Sequence, residues 1–223
     1  VTTVTVRKDL KYLEDKKLLF RTHGSASPVN PHAPDMNILI KEKRNSDEKR
    51  RIALAALEQI EQNDSIILGS GSTVYAVAEQ IKQGGNLTVV TSSLQVSTLL
   101  NSLEDTTVIQ LGGTLRKSSF SVVGDTAIKA FDEIACSKFI MGVDGIDLDY
   151  GLTTSNIDEA RLNRKMIESS LRLIVVADSS KFGRRGFGKI CNLDEVDVII
   201  TDSNVPEATV RVLEESGVQI VIV

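Results

Sequence analysis

Seven short apolar runs, separated by stretches of helical periodicity, set the tightest limit on what this 223-residue chain can become. Runs such as Ile66 to Leu68, Leu173 to Ala177 and Val198 to Ile200 lack the polar alternation of a half-solvated strand. Strands of that kind are covered on both faces, the condition of a parallel sheet flanked by helices. The pattern predicts strands over 65–68, 87–90, 108–111, 138–143, 173–177, 198–201 and 218–223. Helices are predicted over 73–83, 94–103, 126–133, 157–170 and 206–216, after an earlier one that Ser46 is placed to cap. The expected fold class is α/β, a mostly parallel sheet with helices on both faces.

Composition narrows the function. Apolar residues at 41% and charged residues at 25% match an ordinary globular protein. No apolar run approaches the roughly 18–20 residues that cross a bilayer, and no leader pattern is present. A soluble, cytoplasmic protein with no membrane partner is expected. Cys136, Cys191, His23 and His32 are too few for a zinc site or a disulfide scaffold, so neither metal nor cofactor is expected.

The net charge of −4 argues at first against a nucleic-acid partner. It hides a split. Residues 1–51 hold twelve Lys and Arg against seven Asp and Glu, and the remainder fourteen against twenty-three. Such asymmetry assigns the two parts different partners. Pro28, Pro31 and Pro34 mark a stretch without apolar periodicity. The expected division is a head over 1–24, a linker over 25–40 and a body over 41–223.

In the head, Val6, Leu10 and Leu13 share one helical face, while Thr3, Arg7, Lys8 and Lys11 occupy the other. The short apolar run that follows, ending at Gly24, reads as one arm of a hairpin. Such a helix offers Arg to guanine edges and Lys and Thr to phosphates; an amphipathic helix with a merely solvated basic face shows the same pattern.

In the body, the strand at 65–68 runs into Gly69, Ser70, Gly71, Ser72 and Thr73 and then a helix. Glycines admit close backbone approach, hydroxyls add donors, and a helix amino end favours an anion. The arrangement is a phosphate cradle, or alternatively a tight turn with Ser72 as cap. Two later strand ends carry similar equipment: Thr91 and Ser92, then Gly112 and Gly113 followed by Arg116. Ligands of open α/β sheets sit beyond the carboxyl ends of strands, so one shared site is expected, although a Gly-Gly pair also serves turns alone. Asp144 is suited to sugar hydroxyls. Asp178, Lys165 and Lys181 are further candidates, with a turn role for Asp178 and surface charge for the lysines as alternatives. The basic, glycine-rich segment from Gly183 to Lys189 reads as a mobile surface loop.

The order of residues from Thr3 through Arg7, Leu10, Leu13, Leu18 and Arg21 to Gly24 resembles the recognition helix and wing of the DeoR family of bacterial repressors, which are winged helix-turn-helix proteins. The resemblance implies DNA contacts at Arg7 and Lys8, with Thr3 and Thr5 nearby. A recognition helix is braced by an earlier helix; the sequence starts inside the motif, so an upstream extension is expected. The body resembles the family's sugar-phosphate sensor domain, through Leu68 to Thr73, Val90 to Leu94, Leu111 to Gly113, Gly142 to Ile146, Gly151 to Thr153, Asp178 to Lys181, and Thr201 with Asp202. Gly69 departs from the family's usual Asp. The resemblance implies a repressor with operator DNA and a phosphorylated sugar as partners, acting as a dimer or tetramer.

That sensor domain in turn resembles ribose-5-phosphate isomerase, which makes a sugar-phosphate isomerase the alternative. Isomerisation needs a carboxylate to move a proton between adjacent carbons. The isomerase's Arg-Glu-Lys tripeptide is matched by Asn163, Arg164 and Lys165, which puts arginine where the base belongs. Arginine does not deprotonate at working pH. Glu159, one helical turn before Asn163, is the carboxylate placed to substitute. The expectation is a regulator and not an enzyme.

Overall fold

The computed structural model describes residues 2–15, 19–22, 25–28, 35–82 and 85–223. Parts of the expected wing and linker, at 16–18, 23–24 and 29–34, lie outside the described residues, as does the expected helix end at Gln83. The amphipathic head segment forms helix α1 (Thr3–Asp15), whose first turn is capped from Thr2, with Thr5 N–H donating to its hydroxyl at 3.3 Å. Strands β1 (Leu19–Thr22) and β2 (Ser25–Pro28) pair antiparallel as a hairpin. The segment expected as linker thus opens with a paired strand. It also contains the start of α2 (Ile38–Glu42), capped by Asn37, whose side chain accepts from Leu39 N–H. In α3 (Ser46–Leu57), Asn45 and not Ser46 occupies the cap position, in left-handed backbone; its side chain reaches Asp178 instead, at 2.9 Å.

The chain then alternates β3 (Ser65–Leu68), α4 (Ser72–Gln80), β4 (Leu87–Thr91), α5 (Leu94–Leu100) and β5 (Thr106–Gln110). A small hairpin follows, β6 (Thr114–Arg116) with β7 (Ser121–Val123), then α6 (Asp125–Lys129), β8 (Lys138–Met141), β9 (Gly145–Asp147), β10 (Gly151–Thr154) and α7 (Ile157–Glu168). The last part holds β11 (Leu173–Val176), β12 (Gly188–Cys191), β13 (Val198–Thr201), α8 (Glu207–Glu215) and β14 (Gln219–Ile222). All seven apolar runs enter one sheet of order β14-β13-β11-β8-β3-β4-β5, in which every neighbouring pair is parallel.

Both faces of this sheet are covered, which is why its strands show no alternation. Along β11, Leu173 and Val175 join Leu162 and Met166 of α7 and Leu213 of α8 in one core. Ile174 and Val176 join Ile52 of α3 and Val77 of α4 in the other. Burying each such side chain contributes about 1.5–3 kcal/mol. Sequence reading missed the hairpin β6-β7 and the antiparallel trio β12-β10-β9. These strands are three or four residues long and mix glycine or polar residues with apolar ones, so they show neither a continuous apolar run nor a period. The expected loop after Gly183 ends in one of them.

Topology places one position apart from the rest. From β3 the chain steps outward to β4 and β5, then crosses back to β8 on the other side of β3 and steps outward again. The direction of winding therefore reverses between β3 and β8. At such a switch point the loops leaving the two strands part in opposite directions and open a crevice at the carboxyl ends.

Candidate functional site

That crevice is occupied by a polar pocket. The loop leaving β3 contributes Ser70, Gly71, Ser72 and Thr73, and the loop leaving β8 contributes Gly142, Val143 and Asp144. Gly71 carries the turn with φ +116°, a left-handed value that a side chain strains to reach. It leads into α4, whose amino end has no side-chain cap, unlike α5 and α7, capped by Ser93 and Asn156. The free N–H groups and the helix dipole at that end make it attractive to an anion.

Three cations and three carboxylates surround this point: Lys41, Arg116 and Lys181 with Asp35, Asp144 and Glu159. Asp144 accepts from Lys41 Nζ at 2.7 Å and from Ser155 N–H at 3.0 Å. Burial pushes its pKa up, but the charges of Lys41 and Lys181 and the hydrogen bonds from Lys41 and Ser155 outweigh it, holding the carboxyl at about 2. Glu159 accepts from Ser70 Oγ at 2.8 Å, Arg116 Nη1 at 2.8 Å and Thr154 Oγ1 at 2.5 Å. Burial acts against the Arg116 cation, yet Glu159 and Asp35 raise its pKa overall, so it stays charged. For Lys181 burial wins over the attraction of Asp144 and Asp178, and its pKa is lowered. Among the described residues Lys181 is the one pocket cation with no carboxylate at salt-bridge distance.

Of the candidates named from sequence, the structure brings together Ser70, Gly71, Ser72, Thr73, Arg116, Asp144 and Lys181. The others fall away for identifiable reasons. Gly69 sits behind the loop, where an added Cβ would lie 3.3 Å from the Phe139 ring. Thr91 and Ser92 are buried and turn the chain into α5, the Thr91 hydroxyl accepting from Ser93 N–H at 3.0 Å. Gly112 and Gly113 start the β6-β7 hairpin and do not line the pocket. At Gly113, φ is +145° and a Cβ would meet the Val123 carbonyl at 2.5 Å, a reason for glycine that involves no ligand. Lys165 points away and pairs with Asp132 at 3.1 Å. Asp178 takes its turn role, accepting from Ser180 N–H at 3.1 Å and capping the short 3-10 turn Ser179–Lys181 that presents Lys181.

Sequence reading did not assign Asp35, Lys41, Ser118, Thr154 or Ser155 to the site, and named Glu159 without committing it there. Thr154 and Ser155 adjoin the Gly151 to Thr153 motif, which was a usable signal; Asp35 and Lys41 carry none. On α1, Thr3, Thr5, Arg7 and Lys8 are exposed, and so are Val4 and Val6, so exposure does not single out one face.

An α/β body with a charged pocket at its switch point, preceded by an exposed basic helix and a hairpin, has the parts of a ligand-sensing DNA-binding regulator. Residues 44–203 match the DeoR C terminal sensor domain and residues 1–31 the DeoR-like helix-turn-helix domain. The chain belongs to the DeoR family and is a DNA-binding transcriptional regulator, not an enzyme. It is similar to a putative aga operon transcriptional repressor of Escherichia coli O157:H7, 36% identical over 100% of this chain and 84% of that protein. The regulator GlpR of Haloferax volcanii is 36% identical over 97% of this chain and 85% of its own length. The glycerol-3-phosphate regulon repressor of Escherichia coli K12 is 32% identical over 99% and 87%. Among solved structures, ribose 5-phosphate isomerase A of Methanocaldococcus jannaschii overlaps 62% of this chain and 55% of its own, at 17% identity and a TM-score of 0.45. Arg164 lies toward Glu195, at 3.7 Å.

Proposed function

We propose that the chain represses genes of sugar metabolism and that its pocket binds a phosphorylated sugar. The observation that carries this reading is Lys181, which among the described residues has no carboxylate within salt-bridge distance, in a pocket shared with the uncapped end of α4. The effector's phosphate rests on Ser70, Gly71, Ser72 and Thr73, with Lys181 and Arg116 supplying charge. Asp144, held ionised, accepts from the sugar hydroxyls. Relatives named for a glycerol-3-phosphate regulon and for a lactose phosphotransferase system support a phosphorylated carbohydrate as the signal.

The head reads operator DNA through Arg7 and Lys8, with Thr3 and Thr5 beside them, and the body from residue 41 onward holds the effector. The protein acts in the cytoplasm as a dimer or tetramer matched to repeated half-sites; among the described residues no helix is long and apolar enough to cross a membrane. Effector binding shifts the assembly toward an arrangement whose heads no longer fit those half-sites, which requires unequal affinity for the two states.

A thermal-shift panel of sugar phosphates beside their unphosphorylated counterparts tests the reading. At about a hundred times Kd a true effector stabilises by about 2.7 kcal/mol, a rise of roughly 5–10 °C for a chain of this size. Lys181→Met removes the rise. No response to any phosphorylated sugar overturns the assignment.

A further inference from the structure

Asp35 stands out among the six charged groups of the pocket because of where it comes from. It follows β2 by seven positions and precedes α2, in the segment that joins head to body. Its Oδ2 accepts from Arg116 Nη2 at 2.9 Å and from Ser118 Oγ at 2.8 Å, and its Oδ1 from Ser155 Oγ at 3.3 Å. A guanidinium edge and two hydroxyls, converging on one pair of carboxylate oxygens, form the donor set that a phosphate or carboxylate ligand seeks.

The Arg116 fork is divided between two acids, and they differ in how firmly they are fixed. Glu159 belongs to α7, is additionally held by Ser70 and Thr154, and its side chain is 14% exposed. The Asp35 side chain is 43% exposed and the residue lies outside any helix or strand. Of the two, Asp35 is the one that can leave. Charge gives it cause to do so: three cations balance three carboxylates, so an arriving anion finds no net attraction until one carboxylate moves out.

We propose that Asp35 is a built-in competitor that holds the Arg116 and Ser118 donors until the anionic group of the effector displaces it. This rests on the pocket being an anion site, as argued above. Displacement would also loosen the clasp on the joining segment, where Ile38 N–H donates to the Ser118 carbonyl at 2.7 Å. The pocket thereby reports its occupancy to the stretch of chain that leads to the DNA-reading head.

Inorganic phosphate is the probe, measured by calorimetry on the unaltered chain and on Asp35→Asn, which keeps the shape and removes the charge. The expected result is about two- to fivefold tighter phosphate binding by D35N, the scale set by a partly exposed ion pair. In parallel, amide hydrogen exchange over residues 35–40 should quicken on adding phosphate to the unaltered chain, and be fast already in D35N. Equal or weaker binding by D35N, or exchange that phosphate leaves unchanged or slows, overturns the competitor while leaving the anion site standing. Absence of phosphate binding in both proteins removes the site and the competitor together. The exchange measurement needs no variant, so it decides even if D35N folds poorly.

Discussion

The two ends of the neighbouring strands β3 and β8 carry polar clusters of opposite character. At the amino ends, Asp64 accepts from Lys138 Nζ at 2.6 Å, from Ser137 Oγ at 2.9 Å and from Glu61 N–H at 2.8 Å. The Lys138 and Asp64 side chains are 11% and 10% exposed, and the network closes on itself. At the carboxyl ends, an uncapped helix, a cation with no carboxylate at salt-bridge distance among the described residues and a displaceable carboxylate surround open space. Charge density does not separate the two clusters; completeness does. A network whose donors and acceptors are matched fixes the strand ends, whereas one with donors to spare is built for something that arrives.

The largest expected effect breaks the closed end. Asp64→Ala leaves Lys138 with only Glu61, 3.7 Å away and mostly exposed. Removing one partner of a buried pair strands the other charge, so a loss of about 2–3 kcal/mol and a fall in Tm of roughly 5–10 °C are expected. Phosphate affinity at the far end should not move. A loss below about 0.5 kcal/mol, or weakened phosphate binding, would show that the two ends are not the separate devices described.

A smaller effect sharpens the open end. With its folded pKa at about 2, below the ordinary carboxylate value near 4, Asp144 contributes stability that is fully present above about pH 4. That contribution, about 2 kcal/mol, is lost as pH falls from about 4 to about 2. Asp144→Asn should therefore cost most near neutral pH, and the gap between the two proteins in denaturant unfolding should close on acidification. A gap independent of pH between 2.5 and 6 would mean that Lys41 and Lys181 do not hold the carboxylate ionised.

The same contrast explains what could be read in advance. The sheet was legible because burial on both faces writes itself into consecutive residues such as Leu173 to Val176, and the cradle because Ser70 to Thr73 are adjacent in the chain. Asp35 and Lys41 were not legible. They meet Arg116 and Asp144 across 81 and 103 positions, and no local period encodes a pairing at that range. The paired glycines at 112–113 misled because a hairpin and an anion loop ask for the same residue. Gly113 answers to the Val123 carbonyl, a neighbour that only the folded hairpin supplies.

Lys165 gives the smallest and most discriminating test. It lies on α7 with Glu159, but six residues advance a helix by about 600°, which sets the two side chains roughly 120° apart. Glu159 therefore turns into the pocket while Lys165 pairs with Asp132, itself 63% exposed. An exposed pair of that kind is worth about 0–1 kcal/mol. Lys165→Ala should change stability by less than about 0.5 kcal/mol and leave phosphate affinity untouched, although it removes a positive charge from the same helix that orders Arg116. If phosphate binding weakens severalfold, long-range charge and not the geometry at the switch point is what attracts the anion, and the difference between the two strand ends reduces to one of net potential.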